Sequence, residues 1–141
     1  MALYFLVVFS TDKPTIPIGF SRFSISVADN GERGLDDDYS SCSVVAEYLL
    51  DYVSPEYRGM GYGFALSSKR GTLFEKQLDY LLGQLKGTDV ALRPVAFTDL
   101  ESEAGERLAY ISNELVSEYI ECLEGTSKQV NIKSLEIDEG F

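Results

Sequence analysis

Ser43-Val44-Val45-Ala46-Glu47-Tyr48-Leu49-Leu50-Asp51-Tyr52-Val53 is the stretch whose reading decides the fold. Val44, Val45, Tyr48, Leu49, Tyr52 and Val53 fall at the i, i+1, i+4, i+5 spacing of one helix face. As a strand, the same run is buried on both faces and puts Glu47, Leu49, Asp51 and Val53 on one side. Periodicity admits both readings. In either, Ser54-Pro55 ends the element, because a proline pushes the residue before it out of the helical region.

Working outward toward the C-terminus, the next residues are Glu56-Tyr57-Arg58-Gly59-Met60-Gly61-Tyr62-Gly63. Alternating glycines leave bare backbone N–H groups, and a helix N-terminus offers unpaired donors and a favourable dipole to an anion. A helix does follow in the pattern: Leu73, Phe74, Leu78, Leu81, Leu82 and Leu85 mark one face, and Gly87 closes it. Residues 90–97 read as a strand, with Pro94 arguing for an edge position or a bulge. Thr98-Asp99-Leu100-Glu101 has capping-box spacing. The helix after it carries Leu108, Ile111, Leu115, Val116, Tyr119, Ile120 and Leu123 on one stripe, with Gly125 as its stop. Val130, Ile132, Leu135 and Ile137 suggest a closing strand.

Toward the N-terminus, Leu3-Tyr4-Phe5-Leu6-Val7-Val8-Phe9 is continuously apolar and reads as a central strand buried on both faces. Pro14 and Pro17 keep the following residues extended or turning. Residues 18–27 alternate and read as a half-exposed strand, the second arm of a hairpin. Residues 28–41 form a polar loop containing Asn30-Gly31, Gly34 and Asp36-Asp37-Asp38. The three aspartates read as a solvated loop, a docking site for a cationic substrate, or a divalent-ion site.

Composition bounds the chemistry. The chain has 141 residues, enough for one domain with a packed core. Twelve basic against 23 acidic side chains give a formal charge of −11. Nucleic-acid binding, which needs basic side chains to displace counterions, is therefore disfavoured, and cationic partners are favoured. There is no histidine, which excludes His-based acid–base catalysis, a Ser-His-Asp triad and His-ligated zinc. Cys42 and Cys122 have no metal-ligand spacing and read as reduced thiols of a cytoplasmic protein. Residues 2–9 are too short to span a bilayer and lack the basic flank of a signal peptide, so no membrane association is expected.

Val53-x-Pro55-x-x-Arg58-x-x-Gly61-x-Gly63 resembles the acetyl-coenzyme A signature of the GNAT superfamily of N-acetyltransferases. The resemblance extends over residues 19–123 and is specific over 53–63. It implies an α/β (α+β) single domain over residues 1–141, with a central mixed sheet of about five to six strands flanked by helices. It implies acetyl-CoA as cofactor, with Asp51, Tyr52 and Val53 along the pantetheine arm. The backbone of Arg58, Gly59, Met60, Gly61, Tyr62 and Gly63 would hold the phosphates. In the family the strand before the loop splays from its neighbour, and an amine attacks the thioester directly.

A general base is often a glutamate on that strand. Glu47 fits, and on the strand reading it shares a face with Asp51 and Val53. Tyr110, off the apolar stripe of its helix, is the candidate acid for the leaving thiolate. Tyr48, Tyr52, Tyr57 and Tyr62 are candidates for lining an acceptor pocket. The family usually places two helices between its first two strands, where this chain has only residues 10–17. The acceptor side is therefore shortened, rebuilt by residues 28–41, or supplied by a second subunit in a homodimer. The expected acceptor is the primary amine of a cationic small molecule or peptide, steered in by the acidic surface. The competing expectation is a non-enzymatic acidic protein, of the inhibitor or immunity type, that binds a basic protein partner.

Overall fold

The computed structural model describes residues 1–29, 41–98, 103–126 and 132–138. The expected polar loop, with its three aspartates, lies almost wholly outside them, as do Asp99, Leu100 and Glu101 of the capping box and Val130 of the closing strand.

Strand β1 (Ala2–Phe9) pairs antiparallel with β2 (Pro17–Asp29), which pairs antiparallel with β3 (Ser41–Val53). The ambiguous stretch is thus a strand, and an interior one. A 3-10 turn (Pro55–Tyr57) and helix α1 (Tyr62–Leu85) lead to β4 (Ala91–Thr98), which lies parallel to β3. Helix α2 (Glu103–Thr126) then leads to the short β5 (Glu136–Asp138), parallel to β4. The result is a five-stranded mixed sheet in the order β1-β2-β3-β4-β5.

Both helices pack on one face of this sheet rather than flanking it. Phe74 and Leu78 of α1 and Ala109, Val116 and Ile120 of α2 share one buried cluster with Phe23, Ile25, Val44, Ala46, Tyr48, Leu92 and Ala96 of the strands. Burying seven such strand side chains against a helix pair supplies the main folding drive, at roughly 1.5–3 kcal/mol for each large aliphatic or aromatic group. The helices touch along a stripe of small residues on α1. Gly63, Ser67 and Gly71 are spaced by one turn, and a Cβ on Gly71 would sit 3.2 Å from the Ser112 carbonyl oxygen. The Ser112 hydroxyl donates to the Ser67 carbonyl at 2.8 Å, and the Ser67 hydroxyl donates to the Leu108 carbonyl, so the seam is hydrogen-bonded as well as close.

Two sequence expectations are corrected, those for β1 and Pro94. β1 is the sheet edge, not its centre, and its alternate residues Leu3, Phe5, Val7 and Phe9 are exposed. A continuous apolar run predicts two buried faces, but here the helices cover only one. β2 is the second arm of the expected hairpin and is half exposed: Phe23 and Ile25 are buried on the covered face, and Arg22 is exposed on the open one. Pro94 is in a buried, interior strand, neither an edge nor a bulge. The ladder tolerates it because pairing on the β5 side is broken there: Leu92 bridges Ile132, and pairing resumes only at Val95–Glu136.

Candidate functional site

The register of β3 creates the site. Arg22 of β2 faces Leu50 while Phe23 faces Tyr48, so Leu49 is an extra residue, a β-bulge. A bulge reverses the alternation beyond it. Tyr48 faces the helices with Phe23, and past the bulge Asp51 faces them too, opposite Ser21. Glu47, opposite Ser24, is left on the other side of the sheet. The expectation that Glu47 shares a face with Asp51 and Val53 is therefore corrected, and the inserted Leu49 is the cause.

The same strand outruns its parallel neighbour. Tyr48–Thr98 is the last β3–β4 pair, and β3 continues from Leu49 to Val53 paired only with β2 among the described residues. A crevice outside the carboxyl ends of parallel strands is where open sheets of this kind bind ligands. Here it is a slot of about 580 Å³. One wall is Asp51, Tyr52 and Val53; the base is Tyr57, Arg58, Gly59, Gly61, Gly63 and Phe64; the other wall is Ala104, Arg107, Leu108 and Ile111 of α2.

The base is built for backbone exposure. Gly59 and Gly61 have φ of 78° and 91°, left-handed values that cost other residues strain, and a Cβ at either would point into open space. Gly61 is the N-cap of α1 and supplies no side-chain cap; its carbonyl accepts the first helical bond from Ala65 N–H at 3.0 Å. The first-turn donors of α1 therefore meet the slot without a capping side chain. Tyr57 and Tyr62 brace the loop edge-to-face, with centroids 6.0 Å apart.

Two cations border this base. Arg107 lines the slot from α2. Arg58 turns back on the strand end, its Nε–H donating to the Val53 carbonyl at 2.8 Å and its guanidinium 5.7 Å from the Tyr52 ring centre. The single carboxylate among the lining residues, Asp51, is already matched by Arg70, whose Nη1 lies 2.8 Å from its Oδ2. In a chain of charge −11, the slot is locally cationic.

Behind the strand wall lies a polar cluster. Arg70 is fully buried and donates from Nε to the Ser112 hydroxyl and from Nη1 to the Ser21 hydroxyl and both oxygens of Asp51. The Tyr48 hydroxyl donates to Asn113 Oδ1 at 2.7 Å. Burial pushes the Tyr48 phenol well above its ordinary range, outweighing the opposing pull of the Arg70 charge, so it stays a hydrogen-bond donor.

Of the residues expected to hold a cofactor, Asp51, Tyr52, Val53, Arg58, Gly59, Gly61 and Gly63 line the slot, whereas Met60 and Tyr62 are absent from its lining. Neither expected catalytic residue lines it. Tyr110 is 65% exposed, and Glu47 is half-buried on the far face, next to the last β3–β4 pair. Sequence reasoning named Tyr57 among the acceptor-pocket tyrosines but missed Phe64, Ala104, Arg107, Leu108 and Ile111 as slot residues, together with the buried Arg70. A signal for Arg70 existed: it lies one turn before Phe74 and two before Leu78, a charge on the apolar line of the helix.

Cys42 and Cys122 are not disulfide-bonded. Among the described residues no cluster of His, Cys, Asp or Glu is placed to hold a metal ion, and no helix is long and apolar enough to cross a membrane. No protein-family model, curated protein or solved structure matches the chain.

Proposed function

We propose that this chain is an acetyl-CoA-dependent N-acetyltransferase of the GNAT type, acting on the primary amine of a cationic small molecule or peptide. The observation that carries the reading is the locally cationic slot beside the end of β3 that runs on past its last pair with β4, floored by the uncapped N-terminus of α1. A diphosphate suits such a base, because free backbone donors and the helix dipole both favour an anion.

The residues present fit the cofactor in three ways. The first-turn N–H groups of α1, with Gly59 and Gly61, would hold the diphosphate, and Arg107 and Arg58 would add charge. Asp51 and the backbone of β3 beyond the bulge would accept hydrogen bonds from the amide groups of the arm. Leu108, Ile111 and Phe64 give the slot its apolar lining. When bound, acetyl-CoA supplies an acetyl group activated as a thioester.

Glu47 keeps its role in this proposal from the opposite side. It sits one residue before the last β3–β4 pair, on the face the helices leave open. An ammonium arriving from that face would lose its proton to Glu47 and reach the end of the slot as a neutral amine. The Tyr48 hydroxyl, committed to Asn113, serves to fix the strand at that point rather than to move a proton.

Thiol release from acetyl-CoA in the presence of polyamines or lysine-rich peptides tests the reading. Amine-dependent release that falls at least tenfold in Glu47→Gln is expected. Coenzyme A binding without release for any such amine would contradict the transferase and leave a binding protein.

A further inference from the structure

β1 raises a question that the slot does not answer. Leu3, Phe5, Val7 and Phe9 point away from the helices and are 49%, 59%, 45% and 46% exposed. The apolar surface continues across the sheet. Phe5 meets Phe20 of β2 at 6.2 Å between ring centres, and Phe20 meets Tyr52 of β3 at 5.8 Å. Leu50, also beyond the bulge, extends it further.

β1 is in addition an edge strand, and its sequence Ala2–Phe9 contains neither a charge nor a proline. Those are the usual devices that keep an edge from pairing with another chain. At about 200 Å² for a large apolar side chain, the exposed parts of these groups come to roughly 550–600 Å². That stands at the upper end of the range for the largest patch of a typical monomer, about 300–600 Å². It approaches the roughly 800 Å² that each partner buries in a standard interface.

Charge decides which partner fits. The exposed charged side chain among these residues is Arg22, whose guanidinium lies 5.8 Å from the Phe5 ring centre, and Arg58 caps the far end over Tyr52. Glu47, in the cross-strand row of Leu3 and Ser24, is a carboxylate on this face, but it lies two strands from β1. A basic protein would therefore find cations beside the apolar strip and no carboxylate cluster among the described residues. A second copy brings the same uncharged strand, which is self-complementary across a two-fold axis.

We propose that two copies of this chain pack face to face through β1, with Leu3, Phe5, Val7 and Phe9 at the centre of the interface and Phe20 at its flank. The contact is apolar while each copy carries −11, so added salt screens the repulsion and tightens the dimer. A basic partner held by acidic groups would respond to salt in the opposite sense.

Sedimentation velocity on the full chain, at low and high salt and over a range of dilutions, tests this. The expected mass is twice the 15.7 kDa of one chain, with dissociation on dilution shifted to lower concentration by salt. In Phe5→Glu/Val7→Glu, folding checked by circular dichroism, the dissociation constant should rise by about a hundredfold or more, as for loss of central contacts. Should that variant fail to fold, hydrogen exchange on the wild-type chain replaces it. β1 amides should exchange faster at dilutions where the mass is that of one chain. A monomer at every concentration overturns the proposal, whether β1 is protected by another part of the chain or not. So does a dimer whose β1 exchange or double-variant affinity is unchanged.

Discussion

Arg70 Nη1 lies 2.9 and 2.8 Å from the two carboxylate oxygens of Asp51, joining the middle of α1 to the strand wall of the slot. The arginine is wholly buried and the aspartate side chain is 10% exposed. The guanidinium also lies 4.0 Å from the Tyr48 ring centre, so one side chain holds β3 on both sides of its bulge. Its Nη2 is buried with no hydrogen-bond partner among the described residues.

Truncating that arginine should be expensive. Arg70→Ala leaves Asp51 facing a cavity without its cation, and breaking a buried pair in this way costs about 3–5 kcal/mol. Urea denaturation measures it. A loss below about 1 kcal/mol would mean that the pair does not hold the slot wall.

The helix seam sets the distance between the slot's base and its α2 wall. A side chain at Gly71 would start 3.2 Å from the Ser112 carbonyl oxygen and 3.3 Å from Leu115 Cδ1. Gly71→Leu should destabilise by about 1–3 kcal/mol through overpacking. It should also displace α2, so coenzyme A affinity is expected to fall with it. Thermal melting and titration calorimetry on one sample check both. Retained melting temperature with retained affinity would contradict the seam's role.

Glu75 provides a pH-dependent test remote from the slot. Burial and the Glu118 charge both raise its pKa. A raised carboxylate favours the protonated form in the folded chain, so its stabilisation is present below the ordinary carboxylate range and is lost as pH rises through the raised value. Glu75→Gln should therefore melt higher than wild type at neutral pH, and the advantage should vanish in acid. An advantage independent of pH would point to packing instead of charge.

Much of the architecture was legible because it rests on local pattern. The α1 and α2 stripes and the strand boundaries near Pro17 and Pro55 follow from side-chain period and proline chemistry. The slot-lining residues Asp51, Tyr52, Val53, Arg58, Gly59, Gly61 and Gly63 came instead from the resemblance carried by residues 53–63, not from period. What could not be read was set by pairing between distant segments. Leu49 looks like any strand residue until its register against Arg22 and Phe23 is known, yet it decides which face Glu47 occupies. Arg70 looks solvent-facing until Asp51, Ser21 and Ser112 are brought around it. β1 looks central because its sequence cannot say that both helices pack on one face.

Arg107 separates the slot's electrostatics from its shape. It is exposed and borders the base from α2, so its replacement leaves the core intact. Arg107→Glu should weaken coenzyme A binding by about tenfold, with a smaller deficit at high salt, where exposed charges are screened. Dephospho-coenzyme A and pantetheine, titrated in parallel, identify which phosphate it serves. Equal affinity of the variant and wild type for coenzyme A would remove Arg107 from the site.

The most direct test of the central claim is titration calorimetry of the wild-type chain with coenzyme A and acetyl-CoA. The account predicts saturable binding of both at micromolar levels with one site per chain, competed by either ligand and weakened in Arg107→Glu. Absence of saturable binding for both would contradict it.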